Sequence, residues 1–137
     1  MPHEHETALA QYRLSMAYEM LEAAESSLKA ESYKTANNRA YYAVFHAMRT
    51  VLALDGADFK RHSGVISYFG QRYLATGIFP KSFSQIIRDA SLLRNSSDYD
   101  DFYICSRTDT VELVENARIL VDAVAQYVNR LYQKESE

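Results

Sequence analysis

The sequence predicts an all-α protein, an antiparallel up-and-down bundle of four to five helices. Apolar residues recur at spacings of three and four along most of the chain, and no segment has the sustained alternation of a β-strand. Only four Gly and two Pro interrupt the 137 residues. The apolar fraction of 47% is sufficient for a hydrophobic core at this length. We therefore expect one domain over residues 1–137, with its core at about residues 8–131.

The first two predicted helices are long. The first carries an apolar stripe made of Leu14, Ala17, Leu21, Ala24 and Leu28. The second is predicted from Tyr33 to Leu54, with Ser32 as its N-cap. Gly56 supplies the left-handed turn that ends it. This helix has two stripes, an apolar one (Tyr41, Phe45, Met48, Leu52) and a small-residue one (Ala36, Ala40, Ala43, Ala47). Small side chains let two helix axes approach closely.

The third and fourth predicted helices are shorter. Ser63 is the expected N-cap of the third, which stops near Gly77. Pro80 and Ser82 open the fourth. The segment 95–97 (Asn-Ser-Ser) is turn-like, so we expect the fourth helix to end there.

The fifth helix follows a segment, residues 98–107, that shows no helical period. Ser106 or Thr108 is its predicted cap, and apolar residues then repeat with spacings of four and three from Leu113 to Leu131. Residues 133–137 are predicted to be a frayed tail.

The charge pattern is more informative than the net charge of −3. Residues 1–31 carry six acidic groups against two basic ones, and residues 95–137 carry nine against four. Residues 32–94 carry nine Lys and Arg against three Asp, a net charge of +6. Proteins that bind phosphate backbones usually have a basic surplus, so this block is where we expect an anion site.

Several classes of protein are excluded by what the chain lacks. A single cysteine, Cys105, can form neither an intrachain disulfide nor a cysteine-rich zinc site. No run of eighteen apolar residues is present and the first residues are acidic, so we expect a cytoplasmic protein without a membrane partner. The four glycines lack the spacing of a phosphate-binding loop. We expect no cofactor and no bound metal.

One face of the second helix carries the first group of candidate binding residues. Arg39, Tyr42, His46 and Arg49 fall at i, i+3, i+7 and i+10, which aligns them along one ridge. Guanidinium, phenol and imidazole groups together can hold phosphates and stack on bases. The alternative is purely structural, with Tyr42 half-buried, His46 hydrogen-bonded to a neighbouring helix and both arginines solvated.

Two further groups lie downstream. His62 and Ser63 follow Lys60 and Arg61 at a predicted helix N-terminus, where backbone N–H groups favour an anion. Arg94, Asn95 and Tyr99 lie near the end of the fourth helix. Arg94 borders the apolar stripe, where it either pairs with Asp98 one turn later or projects into a cleft.

Taken together, these motifs resemble the HEPN superfamily of small α-helical domains, and in particular its stand-alone prokaryotic members. The matching pieces are 32–33 (Ser-Tyr), 38–47 (Asn-Arg-Ala-Tyr-Tyr-Ala-Val-Phe-His-Ala), 62–66 (His-Ser-Gly-Val-Ile), 92–95 (Leu-Leu-Arg-Asn) and 98–99 (Asp-Tyr). The resemblance covers about residues 10–130. It implies two long antiparallel helices, a homodimer, and a minimal nucleotidyltransferase as a partner protein.

The resemblance also implies a metal-independent endoribonuclease, whose signature is Arg, a polar residue, and His four to six positions after the Arg. Arg94 and Asn95 match its first half, but position 99 is Tyr and no His follows. Tyrosine, with a reference pKa near 10, is a poorer base at neutral pH than histidine near 6.5. His46 or His62 would then have to supply the base.

We therefore expect a HEPN-type module that binds RNA or a nucleotide, with Arg94, Asn95 and Tyr99 lining a cleft across the dimer axis. Arg39, Tyr42, His46, His62 and Ser63 are the expected supporting residues. Such a module fits a toxin–antitoxin or defence system. Two alternatives stay open, namely an active endoribonuclease with a displaced base, and a protein-interaction module without nucleic acid.

Overall fold

Five α-helices and one π-helical turn are present in the part of the chain that the structure describes. A computed structural model describes residues 3–99 and 104–136, and the side chains of all of these except 97–99, 135 and 136. The helices are α1 (Glu4–Lys29), α2 (Tyr33–Leu54), α3 (His62–Phe69), α4 (Phe83–Tyr99) and α5 (Arg107–Ser136), and the π-helical turn Gly70–Leu74 follows α3. The described residues contain no strand, and the prediction of an all-α helical bundle is confirmed. None of the helices described is both long and apolar enough to span a bilayer.

The antiparallel pair of α1 and α2 forms the centre of the bundle. Residues 30–32 connect them in a tight turn, in which Glu31 adopts a left-handed conformation with φ of 62°. Alanines on both helices are completely buried, namely Ala10, Ala17 and Ala24 on α1 and Ala36, Ala40, Ala43 and Ala47 on α2. Because these side chains are small, the two helix axes can approach closely.

The last helix, α5, packs antiparallel to α1. The Tyr18 hydroxyl donates to Asp122 over 2.6 Å, and further along α1 the Arg118 guanidinium donates twice to Glu25, over 2.8 and 3.1 Å. Residue numbers therefore rise along α1 as they fall along α5. This packing leaves α2 covered by α1, α3, α4 and α5.

The loop after α2 determines where α3 begins. Asp55 caps α2, and Gly56 with φ of 68° turns the chain, as predicted. The loop then folds back along α2, so that Asp58 contacts Arg49 and His62 contacts Tyr41. As a result, α3 starts beside the middle of α2 instead of beyond its end.

Several predicted helix ends are wrong. Ser63 is not the N-cap of α3, because the helix already includes His62, which its contacts with α2 hold in place. The turn predicted at 95–97 is also wrong, since α4 continues to Tyr99. Asn and Ser cost only about 0.5 kcal/mol each relative to Ala in a helix, which packing readily offsets. Likewise, α5 continues to Ser136, where a frayed tail was expected.

The other caps agree better with the sequence. Ser32 is at the N-cap of α2, although its side chain makes no capping hydrogen bond. Ser106 caps α5, since its hydroxyl accepts the Asp109 N–H over 3.0 Å and its carbonyl accepts the Thr110 hydroxyl over 2.7 Å.

An aromatic cluster joins the π-helical turn to the rest of the core. Its members are Phe69, Tyr73, Phe79, Phe83 and Tyr127. The buried Tyr73 hydroxyl lies 2.7 Å from the Asp55 carboxylate and 3.2 Å from the Val51 carbonyl oxygen. Burial and the nearby Asp55 raise the pKa of Tyr73, so the hydroxyl stays protonated and donates. This contact ties the turn to the end of α2.

The Tyr73→Phe substitution is expected to lower the free energy of unfolding by about 1.5–3 kcal/mol, because it removes a buried hydrogen bond to a charged acceptor. Urea denaturation measures the loss. Tyr68→Phe is the matched control, since Tyr68 donates to the same carboxylate over 3.0 Å from a more exposed position. Equal losses in the two variants would contradict the importance of burial at Tyr73.

Candidate functional site

Arg94 is held against two tyrosine rings of α2. Its Cζ atom lies 4.9 Å from the centroid of the Tyr41 ring and 5.4 Å from that of Tyr42. Its Nη2 atom donates to the Tyr42 hydroxyl over 3.2 Å. The two rings meet edge to face, with centroids 5.1 Å apart. The half-buried guanidinium is therefore oriented by cation–π contacts and a hydrogen bond.

His62 joins the same group from the start of α3. Its Nδ1 atom lies 2.8 Å from the Tyr41 hydroxyl, and its ring centroid lies 4.1 Å from that of Phe45. Because a hydroxyl can donate or accept, Tyr41 can stabilise either tautomer of the imidazole. Nε2 is then the nitrogen that remains for a ligand.

Burial sets the protonation states in this group. Burial raises the pKa of Tyr41, although Arg94 opposes the shift, so the phenol is protonated at neutral pH. Burial also lowers the pKa of His62 below 6.5, with further lowering from Arg94 and Arg49. At pH 7 the imidazole is thus neutral and able to accept a proton.

His46 lies beside this group on α2. Its ring centroid is 6.3 Å from that of Tyr42. Burial lowers the pKa of His46, and the positive charges of Arg49 and Arg13 lower it further. Its Nδ1 atom is buried and has no hydrogen-bond partner among the described residues. The predicted hydrogen bond to a neighbouring helix is therefore not found for this nitrogen.

A network centred on Asp58 fixes the loop that leads to His62. The buried Arg13 donates to the Arg49 carbonyl oxygen over 3.0 Å and to the Asp58 carboxylate over 3.2 Å. Arg49 donates to the same carboxylate over 3.3 Å, as does the Phe59 N–H over 2.9 Å. Although partial burial raises the pKa of Asp58, the Phe59 N–H and both arginines outweigh it and lower the pKa. Two cations share one carboxylate, so the network is positive overall.

Next to His62 the surface opens into a depression of about 520 Å³. It is lined by Phe45, Arg49, Asp58, Phe59, Lys60 and His62. Within the described part of the chain no carboxylate pairs with Lys60. This depression combines aromatic rings with cationic groups, which suits an anionic ligand that carries flat rings.

The structure brings together only part of the predicted site. Arg94, Tyr42 and His62 form one group, which His46 adjoins. Arg39 bonds instead to its neighbour Asn38, over 2.7 Å. Asn95 and Ser63 are exposed and lie outside the contacts described above. The side chains of Tyr99 and of Asp98, the predicted ion-pair partner of Arg94, lie outside the described residues.

Sequence reasoning missed the residues that organise the site. Tyr41 and Phe45 were assigned to the core; they are buried, but their rings also position Arg94 and His62. In the sequence, Arg13 was considered only as one of the two basic groups of residues 1–31. Its position in register between Ala10 and Ala17, on the buried stripe of α1, was the available signal for a buried arginine.

The fold and these motifs define the class of protein. A family model described as the HEPN domain matches residues 10–128, so the chain belongs to the HEPN family. The resemblance noted from the sequence is thereby confirmed.

Individual relatives agree with this assignment. A "UPF0332 protein" of Thermotoga maritima is 27% identical over 123 residues, which cover 90% of this chain and 93% of the relative. Two proteins of Methanocaldococcus jannaschii carry names that begin "Putative toxin". One is 25% identical over a region that covers 84% of this chain and 78% of the relative. The other is 34% identical over a region that covers 63% of this chain and 64% of the relative.

The Arg94→Gln substitution is expected to raise the pKa of His62 towards 6.5, because it removes a positive charge that opposes protonation of the imidazole. An NMR titration of the histidine ring protons measures this pKa. Arg88→Gln is the control, since Arg88 is exposed on the same helix and contacts Gln85. The electrostatic link between Arg94 and His62 is disproved if both variants titrate like the wild type.

Proposed function

We propose that this HEPN-family chain binds RNA or a nucleotide, and that Arg94 holds a phosphate of the ligand. The observation that carries the proposal is the fixed orientation of the Arg94 guanidinium against Tyr41 and Tyr42, beside His62. The N–H donors of a guanidinium lie in its plane and form the fork that recognises phosphate. The contacts with the two rings and the hydrogen bond to the Tyr42 hydroxyl hold this fork in one orientation.

The electrostatic surroundings support an anionic ligand. Arg13, Arg49 and Lys60 lie near His62 with Asp58 as the carboxylate among them. The net charge of +6 over residues 32–94 includes all of these groups except Arg13. A bound phosphate would also favour the protonated form of His62, so binding would strengthen as the pH falls through the pKa of this group. The toxin names of two relatives fit a role in a toxin–antitoxin or defence system.

The Arg94→Ala variant is expected to bind RNA about 10- to 150-fold more weakly, because a charge-assisted hydrogen bond contributes about 1.5–3 kcal/mol. Fluorescence anisotropy with labelled RNA over a range of salt concentrations measures this. The salt dependence of log K should become shallower by about one unit, as for any lost phosphate contact.

Arg88→Ala is the matched control, since it removes the same charge from an exposed position on α4. Its binding should stay within about twofold of the wild type, as for a distant rim charge. Unchanged RNA binding by Arg94→Ala, in a protein with an intact thermal transition, would refute the proposal.

A second function, metal-independent RNA cleavage, is favoured by the position of His62. Tyr41 holds Nδ1 of this ring at 2.8 Å, and Arg94 stacks on the same tyrosine. In the reaction, the ribose 2′-OH would give its proton to Nε2 as its oxygen attacks phosphorus. The bond from phosphorus to the 5′-oxygen breaks, this oxygen takes up a proton from water, and a 2′,3′-cyclic phosphate is left. Arg94 would stabilise the charge that develops on the phosphoryl oxygens.

His62→Ala is expected to slow cleavage of single-stranded RNA, in the presence of excess chelator, by about 10²–10⁴-fold, because it removes the general base. Gel analysis of end-labelled RNA measures the rate and detects the cyclic phosphate. His5→Ala is the control, because His5 is exposed in the first turn of α1. If the wild type does not cleave, or His62→Ala cleaves at the wild-type rate, this second function is wrong.

The homodimer and the nucleotidyltransferase partner stay predictions.

A further inference from the structure

Phe59 is a large aromatic side chain that remains exposed beside the proposed site. It lies in the loop between α2 and α3, and 41% of its surface is accessible. Together with Lys60 and His62 it lines the depression described above. Phe59 does not belong to the buried core, and its ring lies 5.7 Å from that of Tyr68 on α3.

The loop conformation nevertheless fixes this ring. The Phe59 N–H donates to the Asp58 carboxylate, which also accepts hydrogen bonds from Arg13 and Arg49. Gly64 on α3 packs directly against the Phe59 side chain. A Cβ atom at position 64 would lie only 2.9 Å from the Phe59 Cβ and 3.0 Å from its Cγ. Only glycine leaves room for the ring in this orientation.

A fixed, exposed aromatic ring among cations matches the sites at which proteins bind single-stranded nucleic acid. In such sites the cations track the phosphates while bases stack on the rings. Bases in a duplex are already stacked on each other and are not accessible in this way. Arg49 and Lys60 line the same depression, where they can contact the phosphates of a bound strand.

We propose that Phe59 is a stacking platform for an unpaired base, and that the ligand class of this site is therefore a single strand and not a duplex. The base would lie on Phe59 while the adjoining phosphates contact Lys60 and Arg49, next to the phosphate at Arg94. This inference rests on the proposed function, since it extends the site from Arg94 to the loop before α3.

The absence of tryptophan from the sequence permits a direct test. Phe59→Trp introduces a single tryptophan at the platform, and stacking of a base on the indole quenches its emission. We expect quenching by single-stranded RNA and much less by the matching duplex or by RNA whose bases are removed. Ile78→Trp is the control, because Ile78 has a similar exposure of 40% in a different loop. Equal quenching at the two positions, or none at Phe59→Trp while the RNA is bound, would overturn the inference.

Affinity provides the second measurement. Phe59→Ala and Phe59→Leu should each weaken binding of single-stranded RNA by about tenfold, whereas Phe59→Tyr should keep it, because stacking needs a π face. Gly64→Ala should also weaken binding, although the Phe59 ring is still present, because the added methyl group displaces the ring. A thermal transition for each variant shows that the protein is folded.

The two proposals fail in different ways. Wild-type affinity of Phe59→Ala and Phe59→Leu, together with weakened binding by Arg94→Ala, refutes the stacking platform and leaves the phosphate site at Arg94. Wild-type affinity of Arg94→Ala refutes the phosphate site, whatever the Phe59 variants do. Equal affinity for single-stranded and duplex RNA refutes the assigned ligand class.

Discussion

The α2 helix is buried on almost all sides, and its burial governs how the other helices are arranged. From Ala36 to Leu54 most of its side chains are buried, and four other helices cover it. A helix enclosed in this way needs small residues where a neighbour comes close and large ones where space remains. The alanines of α2 are the small residues at the close contact with α1, and Tyr41, Phe45 and Met48 are the large residues that fill the remaining space. The aromatic side that results is also the surface on which Arg94 and His62 rest.

A buried charge is the second determinant of the site. Arg13 enters the α1–α2 pair, where an unpaired guanidinium would be costly. The Arg49 carbonyl oxygen and the Asp58 carboxylate satisfy it, and in doing so they draw the loop back along α2. The same loop delivers His62 to Tyr41 and leaves Phe59 exposed at the edge. One ion-pair network therefore connects the packing of α1 with the geometry of the candidate site.

The departures from the sequence predictions have a common physical cause. Local rules placed a turn at 95–97 and a cap at Ser63, because Asn and Ser favour such positions in isolation. In the folded chain α3 begins at His62, since its contacts with Tyr41 and Phe45 outweigh preferences of a few tenths of a kcal/mol, and α4 continues through 95–97, where the local preferences are equally small. Tertiary contacts also separate the residues that were predicted to share one ridge along α2. Tyr42 and His46 adjoin Arg94, whereas Arg39 and Arg49 bond elsewhere.

The fold class, the two long helices at the start, the helix end at Gly56 and the family could all be predicted from the sequence. These follow from periodicity, turn chemistry and motif order, which are properties of neighbouring residues. That Arg13, Tyr41, Asp58, His62 and Arg94 belong to one connected site is visible only in the folded chain. Such contacts depend on which faces of distant helices meet, and that choice is made by the packing of the whole core.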